Sequence, residues 1–577
     1  MRNIVLIPPT ARHIPRVAPE PQYASRAMAQ NNAAGTVPRR QQFSSSDMCR
    51  KSRVACDASK LLRAQDELQQ VRLIDTFLKF ISLQCLNNVN LAQQAKDRLS
   101  MTAGLPSNRP TSSYWQEPPA PIASIQSNEL PPLTDIAIVG SGVTGTSVAH
   151  AILNHPRATG LRVTILEARN ACSGATGRNG GHLVSDTCGH FQDLVDALGV
   201  EEAVKILRFS EANIAELKGI VAQLNASEQE AVELREVNSS AVIGDKETLE
   251  NGKRSLELTK STIEETSLEY ENVEDQNIMK EKFKYRDRLA VFEQKGACAL
   301  WPYRLITILQ KRLFEAHKSR FSIETNTPVT SISFQGEEGQ SDYSYLLQTP
   351  RGVVKAQKVI HCTNGYSSHL LPNLTGVVHP VRGTVSVQYP GDSFPRLGNE
   401  LSWTKIHRAY YDPKNNTVTT GLYYAQQNAK TGEIVIGGES QEVESLLSSD
   451  DSEVGPTAKE HISSIIPKMY LDVDDVKVKK VWSGIMGFTP DGMPLIGNLD
   501  KRATGRAGGE EWIAAGFNGH GMDKCWLSGQ AVAKMALGED VPLWLPESFL
   551  VNEKRLESLT LDRAIEAFVG AFAILDA

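Results

Sequence analysis

The sequence predicts an α/β fold with a second, α+β domain built on an antiparallel sheet. Three observations predict it. Residues 134–167 read as strand, glycine turn, helix and strand. Glycine-rich turns recur far downstream, at 484–492 and 516–521, so the first domain is assembled from non-contiguous segments. Between them, residues 376–480 are rich in short alternating strands, the pattern of a sheet with one covered face.

The first element is the sharpest. An apolar strand ending at Val139 runs into Gly140, Gly142, Val143, Thr144 and Gly145, and a helix follows. Gly140 allows the tight turn, Gly142 lets backbone approach a pyrophosphate, and Gly145 lets helix pack on strand. The pyrophosphate would sit on the positive end of that helix. Glu167 ends the second strand, where an acid can bind a ribose hydroxyl. This is a Rossmann-type dinucleotide site.

The residues that follow favour FAD over NAD. Glu167, Ala168 and Arg169 lead into a run of small polar residues: Cys172, Ser173, Gly174, Ala175, Thr176, Gly177, Arg178, Asn179, Gly180, Gly181 and His182. Its backbone N–H groups suit the anionic and carbonyl oxygens of a large cofactor.

Length and composition set the bounds. The chain has 577 residues, enough for two or more domains, and 41% hydrophobic content suits a globular core. A net charge of −6 gives no general case for nucleic-acid binding. No apolar run approaches the roughly 20 residues needed to span a bilayer, so no membrane role is expected. The 8 cysteines are scattered, as in a reducing compartment.

The N-terminal region is set apart. Arg2, Arg12, Arg16, Arg26, Arg39 and Arg40 face one acid, Glu20, across residues 1–46. That composition suits mitochondrial import, but Pro8, Pro9, Pro15, Pro19, Pro21 and Pro38 argue against a continuous amphipathic helix. A disordered tail on a cytoplasmic protein is the preferred reading, with import as the alternative. Cys49 and Cys56 resemble one piece of a fungal zinc cluster, but Ser46 replaces a further cysteine and no downstream pair follows; no metal is expected. Residues 60–99 carry apolar positions at helical spacing. Residues 1–100 are therefore read as an appendage with one amphipathic helix, and Met101 as the start of the enzyme.

The rest divides in order. Residues 101–133 are a proline-rich lead-in. Residues 134–240 and 291–375 form the first two parts of the cofactor domain, and 481–543 the third. Residues 241–290 read as a charged, solvated helical excursion. Residues 376–480 form the substrate sheet, and 544–577 a C-terminal tail.

These motifs resemble the D-amino-acid oxidase/glycine oxidase (DAO) family of FAD-dependent oxidoreductases, nearest its sarcosine-oxidase-like and γ-glutamylputrescine-oxidase-like branch as found in fungi. The segment from Ser173 to Gly181 is the most specific piece. The resemblance spreads over residues 101–540 and implies further cofactor contacts: Val329 against adenine, then Thr363, Asn364 and Gly365 after a strand, Asp491 in the Thr-Pro-Asp turn, and Gly519, His520, Gly521 and Met522 before a helix expected at 522–537. That helix would present its positive end to the reduced flavin. His182 and His520 are read as cofactor contacts before catalytic bases.

The resemblance also implies the chemistry. The flavin N5 takes hydride from carbon, the imine hydrolyses, and O2 reoxidises the flavin to give H2O2. The substrate is a small amine or amino acid. Arg382, Arg408, Tyr411 and Tyr423 are candidate substrate contacts, with Tyr410 and Tyr424 beside them. An arginine could bind a carboxylate bidentately. Arg382 could equally be structural. Period-two alternation should turn about half of these side chains away from the ring.

Two departures from the resembled branch stand out. The stretch from Gly484 to Phe488 has no cysteine, so FAD is expected to be non-covalent. Val435 stands where those relatives carry an oxygen-activating lysine. That leaves open a dehydrogenase using another acceptor; a regulatory protein with an FAD sensor fold is a third reading.

Overall fold

The strand Leu133–Val139 is buried along nearly its whole length, which places it inside a sheet covered on both faces. The computed structural model describes residues 89–264, 269–286, 289–336, 343–438 and 440–574. The N-terminal arginines, Cys49, Cys56 and most of the expected 60–99 helix lie outside them.

Leu133–Val139 pairs in parallel with Gly352–His361 on one side and Val163–Leu166 on the other. Phe321–Glu324 and Glu511–Ala515 extend the parallel sheet outward, and Leu495–Leu499 closes one edge antiparallel. The register sets Val139 beside both Leu166 and His361. The turns at Gly140, Glu167, Cys362 and Gly516 therefore gather at the carboxyl ends of the strands, where open α/β sheets bind ligands.

The helices Val143–Leu153 and Cys525–Ala536 pack on this sheet and on each other. Gly529 permits the close crossing: a Cβ there would stand 2.7 Å from that of Ser147. The second helix starts at Cys525 rather than at Met522, because Gly519 and Gly521 hold the preceding residues in a turn.

A nine-stranded, mostly antiparallel sheet forms the second layer. Its path runs from Lys477–Phe488 through His379–Tyr389, Ile434–Gly437, Leu422–Gln427 and Leu401–Ile406 to Arg235–Ile243, Ala290–Ala299 and His182–Leu183. The sheet thus recruits strands well outside 376–480. The segment 241–290 is not a detached excursion: it contains the helix Lys246–Thr262, but its flanks are interior strands paired from Arg235 to Ala299. Not every strand within 376–480 joins the nine-stranded sheet: Tyr410–Asp412 belongs to a separate four-stranded sheet.

Residues 90–99 are helical and bury Leu91, Ala95 and Leu99 against Val381, Tyr411, Val418 and Phe568. Arg98 Nε donates to the Leu447 carbonyl at 3.0 Å. The boundary drawn at Met101 therefore cuts a packed helix from its core. Over residues 90–99 the apolar positions share one helical face, and sequence spacing alone does not supply the surface that this face covers. Among the described residues no helix is long and apolar enough to cross a membrane.

Candidate functional site

The glycine turn has the shape its spacing predicts. Gly140 adopts φ +107°, and a Cβ there would press on the Cys362 carbonyl at 2.6 Å. A Cβ on Gly145 would overlap the Gly140 carbonyl. The helix starting at Val143 has no side-chain cap of its own. Thr176 reaches it instead, its Oγ1 accepting from Val143 N at 3.0 Å. Glu167 is buried, and its carboxylate accepts from Ser141 N and Oγ at 3.0 and 2.6 Å and from Arg169 N at 2.9 Å. Val329 is buried close by, beyond Thr327, whose N–H bonds the Glu167 carbonyl.

The segment from Ala168 to His182 folds back over this turn. Arg169 and Arg178 are both buried and share one carboxylate, Asp451. Burial lowers Arg178 to about 10, with Arg169 adding to that effect and Asp451 opposing it. Ser173 Oγ and Arg169 Nε are buried with no hydrogen-bond partner among the described residues. Asn179 Oδ1 accepts from Gly181 N at 2.9 Å and shapes the last turn. His182 Nε2 lies 3.1 Å from the Ala425 carbonyl, and burial holds its pKa at about 4, so the ring is neutral.

The downstream motifs meet this loop from the other side. Asn364, at φ +45°, accepts from Gly516 N and Phe517 N through Oδ1, at 3.1 and 3.4 Å. Asn518 N donates to the Gly487 carbonyl. Gly365 lies so close to the Met486 carbonyl that no Cβ would fit. Thr363 Oγ1 pairs with Ser367. Gly519 and Gly521 flank His520, whose Nδ1 lies 3.2 Å from Asp186 Oδ2. Burial depresses the His520 pKa, although Asp186 opposes it. Met522 leads into the helix start, where Asn213 Oδ1 accepts from Leu527 N at 2.9 Å. A neighbouring helix thus takes up part of that helix's first-turn donor set.

Asp491, in the Thr-Pro-Asp turn, is engaged through its side chain by the C-terminal segment. Its carboxylate accepts from Arg555 Nε at 2.9 Å and from Met493 N at 3.1 Å. It ties the turn to the C-terminal segment, which is consequently an anchored part of the fold and not a tail. Spacing matched the motif; only the tertiary fold supplied Arg555.

The substrate candidates separate by face. Tyr424 turns toward the cofactor loop: its ring stands edge-on to His182, with centroids 6.2 Å apart, and lies where a Cβ on Gly180 would be. Tyr423, its neighbour, points to the opposite side and is buried with Trp403 and Ile436. Tyr411 is buried under the 90–99 helix, its hydroxyl donating to Asn416 Oδ1. Arg408 is exposed and pairs with Glu247 at 3.2 Å, beside a surface cavity of about 510 Å³ lined by Ile243, Asp245, Lys405 and His407. Tyr411, Tyr423 and Arg408 are therefore not brought to the cofactor motifs. Alternation along the strand requires that one of Tyr423 and Tyr424 face the cofactor loop, and packing makes it Tyr424. Arg382 is buried, donating to the Asp450 carbonyl at 3.1 Å and lying 3.6 Å from Glu453.

The comparisons with known proteins agree with this geometry. The model of the family "DAO: FAD dependent oxidoreductase" matches residues 135–535. The chain belongs to the FAD dependent oxidoreductase family. It is 22% identical over 417 residues to a probable oxidoreductase OrdL of Rhizobium meliloti, covering 71% of this chain and 84% of that one. It is 24% identical to the gamma-glutamylputrescine oxidoreductase of Escherichia coli, covering 74% and 89%. Glycine oxidase from Geobacillus kaustophilus shares the fold with a TM-score of 0.53 at 18% identity, covering 73% of this chain and 99% of that one. L-proline dehydrogenase from P. horikoshii gives 0.53 at 19%, covering 73% and 98%.

The residues of this family member fit FAD. The helix start carries one neutral cap, the Thr176 hydroxyl on Val143 N, and two arginines share one carboxylate in the loop that wraps it, which leaves positive charge for a pyrophosphate. The unpartnered Ser173 Oγ and Arg169 Nε offer further polar contacts. A Cβ on Gly174 would meet nothing within 4 Å, and one on Gly519, which is exposed, would meet only Met486 and Phe488 at 3.7 Å.

Proposed function

We propose that this enzyme oxidises the C–N bond of an amine or amino acid, with FAD held non-covalently. Bound FAD supplies the hydride acceptor and returns the electrons to O2 or another acceptor. The chain's own residues bind, orient and exclude water. Gly140, Gly142, Val143, Thr144 and Thr176 would hold the pyrophosphate, Glu167 the ribose, and Asn179 to His182 the ring edge. Asn364, Gly519, His520 and Met522 would border the opposite side.

The observation that carries this reading is Tyr424 meeting His182 over Gly180, where the antiparallel sheet touches the cofactor loop. A substrate bound beside this contact would border the Tyr424 ring, with the neutral His182 imidazole packed behind it. Such a site suits a neutral amine, which needs no general base before hydride leaves. The names of the relatives, a gamma-glutamylputrescine oxidoreductase and a glycine oxidase, support C–N oxidation.

Charge accounting favours an amine over a free amino acid. Arg169 and Arg178 face Asp451, Arg382 faces Asp450 and Glu453, and Arg408 faces Glu247. Each guanidinium that could hold a substrate carboxylate already has an acid or carbonyl. Val435 is packed in the main core with Val385 and Trp482, so it offers no charge toward oxygen.

The test is a screen of secondary amines, polyamine conjugates and amino acids, followed by both peroxide release and reduction of an artificial acceptor. Turnover of amines with peroxide supports the oxidase reading. Turnover only with the artificial acceptor selects the dehydrogenase. Bound FAD that no amine or amino acid reduces would sink the proposal.

A further inference from the structure

Asp451 lies in the segment that leaves the small four-stranded sheet after the helical turn Val443–Leu446. Its side chain is 1% exposed. Arg169 Nη1 donates to both of its carboxylate oxygens, at 3.0 and 2.9 Å, and Arg178 Nε lies 3.5 Å from Oδ2. Both arginines belong to the loop that wraps the glycine turn. One buried carboxylate thus stands between two buried cations supplied by a different part of the chain.

The rest of the segment is fixed to the same surroundings. Thr111 N donates to the Asp451 carbonyl at 2.7 Å, and Tyr366, two residues beyond Asn364, donates to the Ser449 carbonyl at 3.1 Å. Arg382 holds the Asp450 carbonyl, and Ser483 Oγ holds that of Glu453 at 2.5 Å. Residues 448–453 therefore touch the lead-in, the cofactor loop, the Asn364 turn and the strand leading to Gly484. Removing the carboxylate would leave two guanidiniums buried side by side, an arrangement far costlier than the intact group.

We propose that Asp451 is a positioning residue: it latches the 448–453 segment onto Arg169 and Arg178, so that the FAD-competent shape of the cofactor loop depends on that segment being docked. By linkage, FAD and the docked segment stabilise each other. The proposal rests on the family's dependence on FAD and not on the amine reading; a protein that binds FAD yet oxidises no amine leaves it standing.

Hydrogen exchange on the full chain, FAD-loaded and FAD-depleted, tests it without a variant. FAD is expected to slow exchange in peptides covering 447–455 together with those covering 140–145. Slowing at 140–145 with none at 447–455 overturns the proposal. Asp451→Asn is expected to weaken FAD binding about tenfold, within the usual range of coupling between sites. Asp451→Glu should recover part of that loss, and Glu453→Gln, at the exposed end of the segment, should bind as wild type. A folded Asp451→Asn protein with wild-type FAD affinity also overturns it. If that variant does not fold, the exchange experiment decides alone.

Discussion

Tyr424 lies over Gly180 so closely that a Cβ on the glycine would stand 2.6 Å from the ring. The contact joins the antiparallel sheet to the loop that ends at His182. Tyr424→Ala is expected to lower kcat/KM by about tenfold or more with little change in Tm, a loss of roughly 1.4 kcal/mol in the transition state. Tyr423→Ala should do the reverse, costing about 3 kcal/mol of stability through an emptied core site. Steady-state kinetics beside thermal melts separate the two. Equal effects would show that the two faces are not functionally distinct.

The glycine turn makes a graded prediction. Gly145→Ala forces a methyl into the Gly140 carbonyl, and backbone must shift. Within the protein Gly142→Ala meets only the Thr176 hydroxyl, at 2.9 Å, but it sets a methyl where the backbone approaches the pyrophosphate. The first should fail to fold or purify without flavin, and the second should fold and hold FAD more weakly than wild type. The ratio of flavin to protein absorbance reads the difference; a fully loaded Gly145→Ala protein would remove the close-packing role assigned to that glycine.

Acid should destabilise the fold through buried neutral histidines. Burial holds His182 and His379 each at about 4, below the ordinary 6.5. The unfolded chain therefore takes up these protons first. Stability is full above about pH 6.5 and falls as pH drops toward 4, by up to about 3 kcal/mol per histidine. Tm measured between pH 7.5 and 4.5 should decline less steeply in His379→Leu than in wild type. Parallel curves for the two proteins would contradict the assignment for His379.

A chain beginning at Met101 lacks the helix whose Leu91, Ala95 and Leu99 cover Tyr411 and Phe568. Its yield of flavin-loaded protein and its Tm should both fall. Leu91→Ala in the full chain should cost about 2–5 kcal/mol on its own. An unchanged Tm in the truncated protein would return the helix to the status of an appendage.

FAD should be released by acid precipitation. Cys172, Cys362 and Cys525 lie at the glycine motifs, and burial raises all three thiols, the last to about 12. None is poised as the thiolate that a covalent link would need. Yellow supernatant after precipitation is the expected result; colour staying with the pellet would establish a covalent flavin.

The sequence by itself determined the local backbone chemistry. Gly140, Gly142 and Gly145 admit few other structures, and the spacing of apolar residues around them fixed strand, turn and helix. The run from Ser173 to His182 was legible for the same reason: it lacks the side chains a plain helix would pack. Tertiary structure decided everything that depends on a partner distant in the chain. It gave Asp491 to Arg555, Arg169 and Arg178 to Asp451, and the 90–99 helix to Tyr411. It also chose Tyr424 over Tyr423, because period-two alternation is symmetric until a second layer covers one face. Strands Arg235–Ile243 and Ala290–Ala299 joined the substrate sheet for a like reason. A strand carries its own pattern of faces, but which edge it meets is settled only when the whole chain packs.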